Sequence, residues 1–77
     1  MIIISQDGLS AVNTDNISGF NMRKDLSTVS TLTFVAYANN IKFPLATYNN
    51  KKRAKEVIEN FLKAFNEGQK TFYMPKE

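Results

Sequence analysis

Two adjacent asparagines, Asn39 and Asn40, separate two runs in which larger apolar residues recur at every second position. Asparagine tolerates positive φ better than most residues, so the pair suits the tight turn of a β-hairpin. A two-residue turn fixes the register of the strands that it joins, and residues 31–38 are therefore predicted to pair antiparallel with residues 41–48. This register places four apolar side chains on one face of the hairpin: Leu32, Phe34, Phe43 and Leu45.

The opposite face of the hairpin carries a mixed set of side chains. The predicted register aligns Tyr37 with Lys42 on this face. It also aligns Val35 with Pro44, and Tyr48 falls on the same face. Proline has no N–H to donate, and the register turns the nitrogen of Pro44 away from the first strand. The second strand is therefore predicted to lie at an edge of the sheet.

Three further short strands are predicted before the hairpin. In this part of the chain, short apolar runs alternate with clusters of Gly, Asp and Asn, which are typical of turns. The predicted strands cover residues 1–5, 9–13 and 17–24. Residues 25–30 are polar and are predicted to form a loop.

An amphipathic helix is predicted over residues 51–67. Its apolar residues recur with helical spacing and form one stripe: Ala54, Val57, Ile58, Phe61, Leu62 and Phe65. Asn50 is a competent N-cap, and Gly68 is suited to end the helix. We expect Phe61, at the centre of the stripe, to pack on the apolar face of the hairpin. Residues 70–74 alternate again and predict a last short strand.

The predicted order β-β-β-β-β-α-β indicates a single α+β domain over residues 1–77. We expect a mostly antiparallel, twisted sheet of five to six short strands, with one long helix of the C-terminal region packed on one face. A chain of 77 residues has room for one hydrophobic core. One helix covers about three or four strands, so part of the sheet is expected to remain uncovered.

The chain contains no cysteine and no histidine. These absences exclude a thiol nucleophile, a histidine base, a Ser-His-Asp triad and the usual zinc ligand sets. The acidic residues are scattered, and three glycines are too few for a glycine-rich phosphate loop. The sequence therefore predicts that the protein is not an enzyme and has no catalytic residue, cofactor or metal site.

The first four residues are apolar, but polar residues follow at once and no basic segment precedes them. Neither a signal peptide nor a membrane anchor is predicted. Small secreted domains usually depend on disulfides, which this chain cannot form. The expected location is the cytoplasm.

Four segments of the chain are informative when taken together: IIISQDG at residues 2–8, DNI at 15–17, YNNKKRAKEV at 48–57 and FYMPKE at 72–77. Together they resemble small proteins encoded in phages and prophages of Firmicutes. The resemblance implies a β-meander with a C-terminal helix and a short closing strand. It also implies an accessory protein that binds a host component in the host cytoplasm, and it supplies no catalytic residues. The helix start departs from that pattern, because it is basic here and is often acidic there.

The net charge of +3 makes this a small basic protein, and the excess positive charge lies in residues 51–77. Four cations stand at the predicted helix start: Lys51, Lys52, Arg53 and Lys55. Cations at this position oppose the helix dipole, but beside free backbone N–H groups they favour a bound phosphate or carboxylate. The cluster is either a phosphate site or a solvated helix face in which lysines pair with glutamates one turn away.

The second candidate surface lies on the mixed face of the hairpin and comprises Val35, Tyr37, Lys42 and Tyr48. An aromatic and basic surface of this kind is able to stack nucleobases. Tyrosines are also enriched in protein interfaces. Ordinary cross-strand pairing, with a lysine over a tyrosine ring, is the third interpretation.

The missing catalytic groups and the small core favour a non-catalytic phage or prophage accessory protein that acts by protein–protein interaction. Its partner is either a host factor or another copy of the chain, as in a homodimer. The contact is expected through an uncovered sheet face or strand edge, at an apolar patch that includes Val35 and Tyr37. The alternative hypothesis is binding of nucleic acid or a nucleotide through the basic helix start at Lys51–Lys55.

Overall fold

The computed structural model describes residues 1–24 and 31–76. Within these residues the elements follow in the order β1 (Ile2–Ile4), β2 (Ala11–Asn13), a 3₁₀ helix (Thr14–Asn16), β3 (Gly19–Lys24), β4 (Leu32–Ala38), β5 (Ile41–Tyr48), α1 (Lys51–Asn66) and β6 (Thr71–Tyr73). This order confirms the predicted α+β fold class. The loop predicted at residues 25–30 lies outside the described residues.

The six strands of the described residues form two three-stranded sheets. In one sheet, β1 lies between β2, which is antiparallel to it, and β6, which is parallel to it. In the other sheet, β4 lies between β3 and β5, and both pairs are antiparallel. The parallel pair arises because α1 separates β5 from β6 and returns the chain to the side of β1.

The hairpin turn has the predicted conformation. Asn39 and Asn40 have φ values of 51° and 69°, as a type I′ turn requires. The four residue pairs nearest the turn have the predicted register. The turn therefore sets the start of the hairpin as local chemistry predicts.

A β-bulge at Leu45 changes the rest of the hairpin. Phe34 pairs with Ala46 instead of Leu45, and each later pair is shifted by one residue. Since side chains alternate along a strand, the extra residue turns Ala46 and Tyr48 towards the same core as Leu45. The predicted position of Tyr48 on the opposite face is therefore wrong.

Helix α1 begins as predicted and is one residue shorter at its end. The side-chain oxygen of Asn50 accepts a hydrogen bond of 2.7 Å from the backbone N–H of Arg53. At the other end, Gly68 has a φ of 73°. The N–H of Gln69 donates to the carbonyl of Ala64 at 3.1 Å, as in a Schellman motif.

The core lies between α1 and the two sheets. The ring of Phe61 is buried, and its centroid lies 5.7 Å from that of Phe34 and 5.6 Å from that of Phe72. Phe34 belongs to β4 and Phe72 to β6, so Phe61 joins the two sheets. The predicted packing of Phe61 on the hairpin is confirmed. The buried cluster comprises Ile3, Phe34, Ala36, Leu45, Ala46, Tyr48, Ala54, Val57, Phe61 and Met74.

Candidate functional site

A groove of about 400 Å³ runs along the surface between β3 and α1. We call it the β3–α1 groove. Its lining is almost entirely apolar and consists of Phe20, Asn21, Met22, Phe34, Ile58, Phe61 and Leu62. A concave apolar surface of this size is a common form of binding site.

Strand β3 contributes one wall of the groove. Phe20 and Met22 are two residues apart, so they point to the same side of the sheet, towards the helix. The ring centroid of Phe20 lies 5.0 Å from that of Phe61 and 5.7 Å from that of Phe34. Phe20 nevertheless remains 37% exposed. It therefore connects the buried aromatic cluster with the surface.

Helix α1 contributes the other wall. Ile58 and Leu62 lie one turn apart on the flank of the helix that borders β3. Leu62 is 51% exposed, and Phe65 is 52% exposed. The predicted burial of these last two residues is wrong, because the residues that the helix buries are centred on another line: Ala54, Val57, Phe61 and Ala64.

The outer edge of β3 lies beside the groove. Within residues 1–24 and 31–76, the strand that pairs with β3 is β4 alone. The two-residue turn makes Ala38 and Ile41 a hydrogen-bonded pair, so alternate residues of β4, starting at Tyr37, direct their backbone groups towards β3. The carbonyl of Tyr37 accepts from the N–H of Ser18 at 2.8 Å, in agreement with this pattern.

The alternation along β4 determines which groups of β3 point outwards. Gly19 and Asn21 are paired with the residues of β4 that face β3. Their backbone groups therefore point inwards, and those of Phe20 and Met22 point outwards. The same two residues thus present apolar side chains to the groove, and their outward N–H and C=O groups have no partner within residues 1–24 and 31–76.

The edge of β5, at the other side of the sheet, is covered in its second half, at Leu45 and Thr47. The side chain of Gln6 accepts from the N–H of Thr47 at 3.0 Å and donates to its carbonyl at 3.2 Å. The backbone N–H of Gln6 donates to the carbonyl of Leu45 at 2.7 Å. Pro44 offers no N–H at this edge, as predicted. Gln6 therefore takes the place that a neighbouring strand would have.

Sequence reasoning did not identify Gln6. Its side-chain nitrogen also donates to the carbonyls of Pro75 and Lys76, at 3.1 and 2.8 Å. Thr47 is 41 positions away from Gln6 in the sequence, and Pro75 is 69 positions away. A glutamine in a predicted turn gives no signal of such distant partners.

The predicted surface on the mixed hairpin face is smaller than expected. Tyr37 and Lys42 are paired neighbours there, as predicted. Val35 is only 5% exposed, and Tyr48 is buried in the core, where its hydroxyl donates to the carbonyl of Pro75 at 2.6 Å. The apolar patch expected at Val35 and Tyr37 is therefore not formed. The exposed apolar side chains around the groove lie on the other face.

The basic helix start is at the surface. Lys51, Lys52 and Lys55 are exposed, and Arg53 is half-buried. The Nε atom of Arg53 is buried and has no hydrogen-bond partner among the described residues. Asn50 already accepts from one of the backbone N–H groups that an anion would use. The role of these four cations in binding stays a prediction.

The turn between β1 and β2 contains a carboxylate with a displaced pKa. The hydroxyl of Ser5 and the backbone N–H of Leu9 both donate to Asp7 and hold its pKa below the ordinary range of an aspartate. These bonds order the turn that follows Gln6. Asp7 lies outside the β3–α1 groove.

No group of three or more histidine, cysteine, aspartate or glutamate side chains that could hold a metal ion occurs within residues 1–24 and 31–76. Over the same part of the chain, no helix has the length and apolar character needed to cross a membrane.

Comparison of the chain with models of known protein families, with curated proteins and with solved structures finds no match.

Proposed function

We propose that this chain is a non-catalytic binding protein that acts by protein–protein interaction. The contact surface is the β3–α1 groove together with the open edge of β3. The observation that supports this function best is that Phe20 and Met22 line the groove and also carry the outward-pointing backbone groups. A partner strand would gain hydrogen bonds at the edge and a site for apolar side chains beside it. This combination is typical of recognition by strand addition.

The groove defines the chemistry of the partner. An extended segment that pairs with β3 places every second side chain over the helix side of the sheet. Those side chains are apolar, because the groove walls are Phe20, Met22, Ile58 and Leu62. An acidic residue between them is favoured opposite Arg23, which is exposed on the other face of β3.

The resemblance to phage and prophage proteins suggests a biological setting for this function. In that setting the protein is an accessory protein of a phage, and its partner is a host factor or a second copy of the chain. Binding of nucleic acid or a nucleotide at Lys51–Lys55 is the alternative. The Nε atom of Arg53, which has no partner among the described residues, favours this alternative, and the occupied N-cap argues against it.

A designed peptide tests the proposed surface. The probe is a ten-residue peptide with leucine at alternate positions and glutamate or threonine between them. We expect its addition to the isotope-labelled protein to shift the NMR signals of Phe20, Met22, Ile58 and Leu62. Signals of Tyr37 and Lys42, which lie on the other face, are expected to change little.

Two matched variants identify the surface by affinity. Leu62→Asp places a charge in the groove and is expected to weaken peptide binding by about tenfold or more, because a buried leucine contributes about 1.5–3 kcal/mol. Leu9→Asp is the control, because Leu9 is 86% exposed in a turn outside the groove. Equal binding by the two variants would contradict the proposed surface.

A salt titration separates the alternative function. Binding of single- or double-stranded DNA at Lys51–Lys55 would weaken steeply with salt and would be lost in the double variant Lys52→Glu, Arg53→Glu. We expect no DNA binding by the protein, and we expect the double variant to bind the peptide with unchanged affinity. Salt-sensitive DNA binding without any peptide binding would favour the alternative.

A further inference from the structure

We infer that the open edge of β3 pairs with β3 of a second copy of this chain, antiparallel, about a two-fold axis that passes between the two Asn21 residues. The inference rests on the proposed function, because it names the occupant of the same surface. The pairing would join two three-stranded sheets into one sheet of six strands.

The outward backbone groups limit the pairing to few registers. In a two-fold antiparallel pair, opposite residues share a face of the sheet, so the axis must pass beside a residue and not between two residues. The groups that point outwards belong to Phe20 and Met22, so these residues must form the hydrogen-bonded pairs. Axes beside Phe20, Asn21, Met22 and Arg23 all satisfy this condition.

Side-chain chemistry selects the axis beside Asn21. There Phe20 of each copy lies opposite Met22 of the second copy, so both groove residues gain an apolar neighbour. With the axis beside Met22, Phe20 would instead lie opposite the cation Lys24. A further shift, with the axis beside Arg23, would place two arginines opposite each other, which is unfavourable. An axis beside Phe20 would pair Phe20 with itself and leave Met22 opposite Ser18. The axis beside Asn21 is therefore the one that gives both Phe20 and Met22 an apolar partner on the groove side.

The other face of the strand fits the same register. Arg23 lies opposite Gly19 of the second copy, and a Cβ atom built on Gly19 would meet nothing within 4 Å. The arginine side chain therefore has room to cross the glycine. On the far side of Gly19, the same face of the sheet carries Tyr37, which is the partner of Gly19 in β4. A guanidinium over the tyrosine ring adds a favourable cation–π contact.

Pairing of two β3 strands would cover the edge and the groove together. Leu62 lines the groove beside Phe20 and Met22 and is half exposed in the single chain. Each Phe20–Met22 pair would exchange two backbone hydrogen bonds, and the partner's strand would extend the groove wall. A domain of this size has a small core and benefits from association.

A single cysteine tests the register directly. The chain contains no cysteine, so Asn21→Cys introduces the one thiol of the molecule. Opposite residues of a pair without hydrogen bonds lie about 4.5 Å apart between Cα atoms, within the range of a disulfide, about 4.4–6.8 Å. Under a mild oxidant we expect this variant to form a disulfide-linked dimer almost completely. Sedimentation should show that the reduced variant and the unmodified protein are dimers.

The control variant is Arg23→Cys, which lies on the same strand and the same face. In the inferred register the two introduced cysteines are four residues apart along the strand direction, about 13 Å, and cannot be linked. Linkage of both variants at equal rates, or of neither, would overturn the inference. A third variant, Met22→Cys, reports the rejected axis, and its preferential linkage would also overturn the inference.

The outcome also distinguishes this inference from the proposed function. A monomeric protein whose Asn21→Cys variant is not linked, but which binds the designed peptide at Phe20 and Met22, would refute self-pairing and retain the proposed surface. A protein that neither dimerises nor binds the peptide would refute both.

Discussion

The two edges of the sheet β3–β4–β5 differ in whether their outward-pointing backbone groups have hydrogen-bond partners among the described residues. At the edge of β5, Pro44 removes a donor and Gln6 bonds both backbone groups of Thr47. At the edge of β3, the backbone groups of Phe20 and Met22 have no such cover among the described residues. Both edges belong to one small sheet, and open edges invite pairing with other chains. Within the described residues, the edge of β5 is therefore partly covered and the edge of β3 is open.

The exposed apolar side chains are also distributed unequally between the two edges. The open edge borders the β3–α1 groove, where Leu62 and Phe20 are partly exposed. The covered edge borders polar groups of the chain end, which Gln6 binds through the carbonyls of Pro75 and Lys76. An edge with unpaired backbone groups that lies beside an apolar groove is typical of a binding surface.

The largest effect is expected from Phe61→Ala, since Phe61 supports both regions. Its ring contacts Phe20 beneath the groove and Phe72 in the sheet that supports Gln6. The variant should lower the free energy of unfolding by about 3–5 kcal/mol, measured by urea denaturation. Phe65→Ala is the control, because this ring is half exposed and its loss should cost much less. Equal losses would contradict the assigned core.

Gln6→Ala should uncover the edge of β5. Four hydrogen bonds of the Gln6 side chain are lost, most of them at exposed positions. We expect a loss of about 1–2 kcal/mol in unfolding free energy and faster exchange of the Thr47 amide. Gln69→Ala serves as control, because Gln69 makes an exposed bond of 3.3 Å to Glu67 within the helix end. If both variants had the stability of the unmodified protein, Gln6 would not protect the edge.

Met22→Pro would remove an outward-pointing N–H from the β3 edge, as Pro44 does at the β5 edge. The N–H of Met22 points outwards, so its removal leaves the pairing with β4 intact. We expect a change of less than about 1 kcal/mol in stability, together with loss of peptide binding and of self-association. Asn21→Pro removes an inward N–H and should destabilise the fold more. If Asn21→Pro were the more stable variant, Asn21 and not Met22 would point outwards, and the assigned orientation of β3 would be wrong.

Asp7→Asn should have the smallest effect, visible in the pH dependence of stability. The pKa of Asp7 is lower in the folded protein than in the unfolded chain, so ionised Asp7 stabilises the fold above about pH 4. That contribution is lost as the pH falls through the lowered pKa. The variant should therefore lose less stability than the unmodified protein between about pH 4 and pH 2. Identical acid profiles would show that Asp7 does not order the turn after Gln6.

The sequence predicted those parts of the fold that depend on neighbouring residues. The hairpin turn at Asn39 and Asn40, the N-cap at Asn50 and the left-handed Gly68 are all found where the sequence indicates. Each depends on the conformational preference or hydrogen bonding of one or two residues. Phe61 was placed correctly because helical periodicity locates the middle of an apolar stripe well.

The remaining features depend on distant parts of the chain. The bulge at Leu45 moves Tyr48 into the core, and the alternating pattern alone cannot reveal an extra residue. The apolar stripe of the helix does not show which of its flanks a sheet will cover, so Leu62 was expected to be buried. Half of the candidate site, on β3, lies within the strand that was predicted over residues 17–24. Its open edge follows from the strand order, which local sequence does not specify.

Amide hydrogen exchange at two protein concentrations tests the contrast between the edges most directly. In dilute protein, the amides of Phe20 and Met22 should exchange fast, and that of Thr47 should be protected by Gln6. In concentrated protein, the amides of Phe20 and Met22 should become protected, and that of Thr47 should not change. Fast exchange of Thr47, or exchange at Phe20 and Met22 that is independent of concentration, would contradict the account of one covered edge and one pairing edge.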